Sequence, residues 1–415
     1  MMALAATGDS ELARVAGVQT AHDLRRAGLN VDFAPSLDLA FHPHSTVIGA
    51  RAFSDDPRTV ERFGRAFADG LESMGVVATF KHFPGHGSTA QDTHLELPIV
   101  DADEAHLRDH DLAPFAALLP QARAVMTAHI IARSFDEHRP ATNSPRILTG
   151  LLREELGFQG VCFTDCMEMD AIAGSIGTAR GALLALQAGA DCMLISHTFE
   201  LALHAVALIE GAVEDGSLPI ERLQQAFDRV QQLRKQLEAP IPLQTPPPHP
   251  EIGLQIGTRA VTILRGDAGI DPRHAAVASF QGATTEGVQG LHAQHSSLRS
   301  FSPGLLEFVL PLDPTVDETS RAIESISRES RTPILLTRRA FLHASQGHAV
   351  DRFLETFPGA IVVLMREPVE AERFARAHAL LATYGDDRPS MAGLAAVLFG
   401  GAKASGRLPV RWRAA

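Results

Sequence analysis

Cysteine is scarce in this 415-residue chain: only Cys162, Cys166 and Cys192 are present. An odd, sparse set does not make a disulfide framework and fits a reducing compartment. Cys162 and Cys166 have the spacing of a metal or redox pair, but small buried apolar residues are the plainer reading. Long hydrophobic runs are also missing. No stretch approaches the roughly 18 consecutive apolar residues of a membrane span. The opening Met1-Met2-Ala3-Leu4 lacks a basic segment and a long apolar core, so it does not read as a signal peptide and a cytoplasmic location is expected. A positive excess is lacking too. With 37 Lys and Arg against 49 Asp and Glu, the net charge is −12, which excludes a broad nucleic-acid footprint. No internal repeat is visible.

The remaining composition is that of a globular protein, 45% apolar and 21% charged, with length for two or three domains. One boundary stands out. Residues 239–250 read Ala-Pro-Ile-Pro-Leu-Gln-Thr-Pro-Pro-Pro-His-Pro, which is neither helix nor central strand and reads as a semi-rigid linker. It follows an amphipathic helix, Pro219 to Leu237. Residues 1–238 therefore form one predicted domain and 251–415 another.

In the first, short apolar runs at Val31–Leu37, Val76–Phe80, Ala124–Ala128, Gly160–Thr164 and Asp191–Ile195 alternate with helical stretches such as Ser10–Ala27, Pro57–Met74 and Ser144–Leu156. Such alternation predicts an α/β fold with a parallel sheet. Polar residues follow several strands: Lys81 and His82, His129, Asp165, Ser196 and His197. That is where a (β/α)8 TIM-type barrel builds its active site. Five strand–helix units are present and a closed barrel has eight, so the barrel is expected to be incomplete at its N-terminus as written. Residues 251–415 alternate again, with strands expected at Val261–Leu264, Ala275–Phe280, Glu307–Leu310, Pro333–Leu336, Ala360–Leu364 and Leu380–Tyr384. An αβα sandwich is expected there.

Two segments carry chemistry. Lys81-His82-Phe83-Pro84-Gly85-His86-Gly87 leaves a strand and runs into a loop ending at Asp92-Thr93-His94. On a loop, a carboxylate two residues from an imidazole can fix its tautomer and leave the other nitrogen free for proton transfer. The second segment places Asp165 directly after the strand Gly160–Thr164. A carboxylate there can attack an anomeric carbon, or it can cap a helix. His82 reads either as a site residue or as a core-edge histidine, and His86 reads as structural. Arg51 can serve a ligand or pair with Asp55 or Asp56. His129 can line a pocket or cap the sheet. Glu168 is either a second carboxylate of the site or an organiser of loops.

The heptapeptide 81–87 followed by Asp92-Thr93-His94 resembles the signature of glycoside hydrolase family 3, in its bacterial β-N-acetylglucosaminidase branch. Phe163-Thr164-Asp165-Cys166-Met167-Glu168-Met169 resembles that family's nucleophile segment. Val47–Ser54 is similar to its substrate-arginine loop. Asp32–Asp38 and Val125–His129 are similar to its barrel strands, and Leu398–Val410 to the closing segment of its two-domain members. The resemblance implies a retaining hydrolase that releases terminal β-linked N-acetylglucosamine from cell-wall fragments. Asp165 would be the nucleophile, His94 the acid/base and Asp92 its partner, with Arg51, Lys81, His82 and His129 binding the sugar. No metal or cofactor is implied, and the expected partner is a small carbohydrate met by a monomer. A histidine acid/base departs from the usual pair of carboxylates and suits neutral pH. One family feature is missing: the Asp-Gln-Glu-Gly-Gly-Arg segment of an earlier barrel strand. The chain is therefore expected to be truncated and to lack one substrate-binding carboxylate of the family.

Three other readings stay open. A phosphorylase of the same family would use phosphate in place of water. A metal-dependent barrel hydrolase would use His82, His86, Asp92, His94, His129 and Asp165, although no ligand-spaced histidine motif is present. A sugar-binding pseudo-enzyme would bind N-acetylglucosamine without turnover.

Overall fold

The structure is a computed structural model describing residues 1–89, 97–237, 248–282 and 297–412. It separates into two compact units, 13–249 and 1–12 with 250–415. Most of the 239–250 linker lies outside the described residues. Among the described residues no helix is long and apolar enough to cross a membrane.

The unit 13–249 is built on strands β1 (Val31–Asp32), β2 (Val77–Phe83), β4 (Ala124–Thr127), β6 (Val161–Cys166) and β7 (Cys192–Leu194), all parallel and hydrogen-bonded in that order. A small parallel pair, β3 (Ile99–Val100) with β5 (Ile131–Ala132), lies apart from this sheet. The pair is absent from the sequence reading because two-residue strands leave no periodic signal. The expected strand at Val31–Leu37 is regular over only its first two residues. Pro35 has no N–H to give a ladder, yet the segment stays beside β2 through Thr79 N–H to Ala34 O and Leu37 N–H to Lys81 O.

Two crossover helices are locked together at glycine. A Cβ on Gly17, in helix Ser10–Arg26, would lie 2.2 Å from Phe67 O of helix Pro57–Ser73. Any side chain at Gly17 would push these helices apart. The helix Ile220–Leu237 covers the N-terminal end of the sheet. Leu233 clusters with Val77, Ala124 and Val161, which begin or nearly begin their strands. Removing a leucine-sized side chain from water contributes about 1.5–3 kcal/mol. This covering leaves the opposite, C-terminal strand ends for a site.

Beneath that packing sits a buried ion cluster. The Asp191 carboxylate, fully buried, accepts from Arg153 Nη2 at 2.6 Å, Arg222 Nη2 at 2.9 Å, Arg229 Nη1 at 3.0 Å and Cys162 N–H at 2.9 Å. One side chain thereby ties β6 and the start of β7 to helices Arg146–Glu155 and Ile220–Leu237.

The second unit holds β8 (Thr262–Arg265), β9 (Ala275–Gln281), β10 (Leu306–Pro311), β11 (Thr332–Thr337), β12 (Ile361–Leu364) and β13 (Ala379–Ala382). Their order is β10-β9-β11-β12-β13-β8, parallel except for β8. Residues 1–12, assigned by the sequence reading to the first domain, belong to this unit instead. Met2 is fully buried, Arg407 N–H donates to Ala6 O at 2.8 Å, and Arg259 Nη1 pairs with Asp9 at 3.0 Å. Apolar side chains and an unpaired helix-end carbonyl find partners there that a purely sequential boundary does not foresee.

Replacing Asp191 by Ala would leave three largely covered guanidinium groups without their shared, fully buried carboxylate. A loss of about 3–5 kcal/mol in unfolding free energy is expected. Urea unfolding followed by circular dichroism measures it, and a loss under 1 kcal/mol would mean the cluster is not structural.

Candidate active site

At the C-terminal end of the first sheet the structure brings together Lys81 and His82 from β2, Asp165 from β6, and His129 just after β4. The centre is a histidine between two carboxylates. His82 Nδ1 lies 2.6 Å from Asp38 Oδ2, and His82 Nε2 lies 3.7 Å from Asp165 Oδ2. Asp38 is wholly buried. It also accepts from His82 N–H, from His86 N–H at 2.8 Å and from the Ser36 hydroxyl at 2.9 Å. Burial alone would raise its pKa, but the His82 and His86 interactions prevail and hold the carboxyl well below the usual range. With Nδ1 given to Asp38, Nε2 is the atom His82 presents to Asp165. The His82 ring is thus fixed at the strand end by Asp38. The Lys81–His82 and Phe83–Pro84 peptides are both cis.

Asp165 is the accessible member of this trio, with about a quarter of its side chain exposed. Its Oδ1 accepts from Cys166 N–H at 2.8 Å. Burial pushes its pKa up. His82, His129, the Cys166 N–H and Lys81 outweigh that and keep it below the usual carboxylate range. An ionised, partly exposed carboxylate at a strand end is the state a nucleophile needs. Asp165 does not cap a helix: the next one, Asp170–Ala173, starts five residues later. Lys81 has its pKa lowered by burial and by the Arg51 charge, against the pull of Asp165, Asp38 and Asp32. Arg51 is thereby close enough to be felt at the site, while its Nη1 donates to Val47 O at 2.9 Å. Of the two carboxylates offered as its surface partners, Asp56 is engaged as the N-cap of helix Pro57–Ser73.

His129 is buried and held at both nitrogens, Nδ1 by Thr142 Oγ1 at 2.8 Å and Nε2 by Cys166 O at 3.0 Å. It steadies the β6 end that carries Asp165. Glu168 resolves as a loop organiser, its Oε2 accepting from Ser196 and His197 N–H, each at 2.7 Å. His86 is buried, and burial pushes it down to about 4, so it is neutral at pH 7 and structural. Asp92 and His94 lie outside the described residues.

Two acids were missed by the sequence reading as site components. Asp38 was seen only as part of a strand-like segment; its place just past an apolar run was the available signal. Asp111 follows helix Glu104–Asp109 and is buried. It accepts from Ser88 N–H at 2.8 Å and Ser88 Oγ at 2.5 Å, and His42 Nε2 lies 3.1 Å from Ser88 O. Gly85, at φ +121°, passes so near that a Cβ would lie 2.7 Å from Asp111 Cβ. Asp111 therefore moors the loop 84–89 from behind, and nothing in its surrounding sequence pattern marks it.

The metal-hydrolase reading finds no support in this arrangement. Among the described residues, His82, His86, His129 and Asp165 belong to no group of three whose ligand atoms lie within 4.8 Å of one another. His82 is instead spent on two carboxylates.

Residues 1–233 match the profile of the glycosyl hydrolase family 3 N terminal domain, which is more than half of the chain. The chain belongs to glycosyl hydrolase family 3. Beta-hexosaminidase A of Pseudoalteromonas piscicida is 28% identical over 457 positions, covering 94% of this chain and 74% of that protein. The beta-hexosaminidase of Stenotrophomonas maltophilia is 42% identical over 189 positions, covering 45% of this chain and 56% of the relative. The matched part is thus little more than half the length of that second relative. Among solved structures, a glycoside hydrolase family 3 beta-N-acetylglucosaminidase from Paenibacillus sp. is 31% identical with a TM-score of 0.92, covering 99% of this chain and 81% of that one. A beta-glucoside phosphorylase at 20% identity and TM-score 0.84 shares the fold, and its alignment covers 99% of this chain and 79% of that one.

If Asp38 sets the His82 ring for family 3 chemistry, Asp38→Asn is expected to lower kcat about tenfold or more, a loss of about 1.4 kcal/mol or more of transition-state stabilisation. The folded-state pKa of Asp38 is depressed, so its contribution to stability is present above the unfolded value near ~3.9 and is lost only as pH falls below it. The drop in melting temperature caused by Asp38→Asn should therefore still be present at pH 5. Its disappearance at pH 5 would show that Asp38 is not held ionised.

Proposed function

We propose that this chain is a retaining β-N-acetylhexosaminidase that releases terminal N-acetylglucosamine, with cell-wall fragments as its natural substrate class. The observation that carries the reading is the Asp165 carboxylate, ionised and partly exposed at the end of β6 within a ring of Lys81, His82 and His129. The family membership and the beta-hexosaminidase relatives support the substrate class. In this account the five-stranded sheet belongs to a (β/α)8 barrel, and the second unit is an αβα sandwich.

Asp165 attacks the anomeric carbon as His94 protonates the departing glycosidic oxygen, leaving a glycosyl ester on Asp165. His94 then takes a proton from water, whose oxygen displaces Asp165 and restores both groups with retained configuration. Asp92 holds His94 in the tautomer this requires. Lys81 and Arg51 donate charged hydrogen bonds to sugar oxygens, each roughly twice as strong as a neutral one. His82 Nε2 faces the same space, fixed by Asp38.

The test is hydrolysis of two N-acetylglucosaminides by the chain, one with a good aryl leaving group and one with a poor alkyl one. Asp165→Ala should abolish turnover of both. His94→Ala should slow the poor leaving group by about 10²–10⁴-fold and the good one far less, since an activated leaving group needs little protonation. Equal losses on the two would remove His94 from the acid role. Release of a sugar 1-phosphate that rises with added phosphate would replace hydrolysis by phosphorolysis.

A further inference from the structure

A second cluster sits beside the nucleophile and takes no part in the displacement. Cys166, Glu168 and His197 each turn one ligand atom toward the others, and these three atoms lie within 4.8 Å of one another. Among the described residues no other three His, Cys, Asp or Glu side chains meet so closely. Cys166 ends β6, one residue after Asp165, and Glu168 follows two residues later. His197 lies three residues past β7, before helix Phe199–Glu214. Cys166 Sγ is 3.9 Å from Glu168 Oε2.

We propose that Cys166, Glu168 and His197 form a site for a borderline-soft divalent cation, with zinc as the best fit, whose binding restrains the hydrolase. Three considerations support this. The donor set is a thiol, a carboxylate and an imidazole, which selects zinc over magnesium or calcium, both of which want oxygen alone. The spacing is close to what zinc needs. Bonds of about 2.0–2.3 Å in a tetrahedron place donors roughly 3.3–3.8 Å apart, so side-chain shifts of at most about 1–1.5 Å close the site. The carboxylate is already oriented: Glu168 Oε2 is held by the N–H groups of Ser196 and His197, the kind of outer hydrogen bonding that fixes a metal-binding carboxylate.

Three protein donors leave a fourth position for water. Binding displaces the Cys166 thiol proton to solvent as the sulfur–zinc bond forms, so affinity rises with pH. A bound dication would tie the end of β6 to the loop after β7. It would also place positive charge beside the oxocarbenium-like transition state that Asp165 must stabilise. The restraint on hydrolysis rests on the function proposed above; the cation site does not.

The test uses the full chain, stripped with chelator and then equilibrated with zinc chloride. The wild type should take up one more equivalent of zinc than Cys166→Ser or His197→Ala. Peptide mapping after brief iodoacetamide treatment needs no variant. Zinc should slow alkylation of Cys166 about tenfold or more, magnesium should not, and Cys192 provides an internal comparison. Equal zinc uptake by all three proteins, or Cys166 alkylated as fast with zinc as without, overturns the site. Zinc that protects Cys166 but leaves the rate of N-acetylglucosaminide hydrolysis unchanged overturns the restraint. If zinc protects Cys166 in a chain with no hydrolysis at all, the site stands and the hexosaminidase reading fails.

Discussion

The site depends on one buried carboxylate. Asp38 has no access to solvent, and a bare charge there would cost several kcal/mol. It is tolerable because four donors meet it: the His82 ring, the His82 and His86 N–H groups and the Ser36 hydroxyl. Those same bonds fix where His82 points and how the chain turns from β2 into the loop 84–89. Solvating Asp38 and orienting the site are therefore one structural event. Lys81 follows, because its neighbour is locked.

The opposite end of the sheet repeats the device for another purpose. Asp191 gathers Arg153, Arg222 and Arg229 beneath β6 and β7. Its partners come from two helices, so it fixes the scaffold, whereas the partners of Asp38 come from the site segment itself. Asp165 lies between them on β6, with an apolar strand below and an open strand end above. That placement explains why one acid of the three is partly exposed. Asp38 and Asp191 are held by donors on all sides; Asp165 keeps an oxygen for the substrate.

Much of this was legible in the chain. Apolar runs with turn residues between them placed β2, β4, β6, β7 and all six strands of the second unit within two or three residues, because buried parallel strands read as short continuous hydrophobic stretches. Lys81, His82 and Asp165 were legible because polar residues directly after such runs fall at strand ends. Asp38 was harder: its role comes from a hydrogen bond across 44 residues, which no local pattern encodes. Asp111 and Asp191 act through tertiary contacts of the same kind. The transfer of residues 1–12 to the second unit is likewise a matter of which surface happens to cover Met2 and Leu4.

The most direct test of the central claim, that Asp165 is the nucleophile of this arrangement, is covalent trapping. The chain is incubated with an activated 5-fluoro N-acetylglucosaminide, whose fluorine slows breakdown of the glycosyl ester, then digested and mapped by mass spectrometry. The account predicts one adduct on the peptide containing Asp165, with loss of activity in step with labelling. An adduct on Asp38, Asp32 or Glu168, or steady turnover with no adduct at any occupancy, would contradict it.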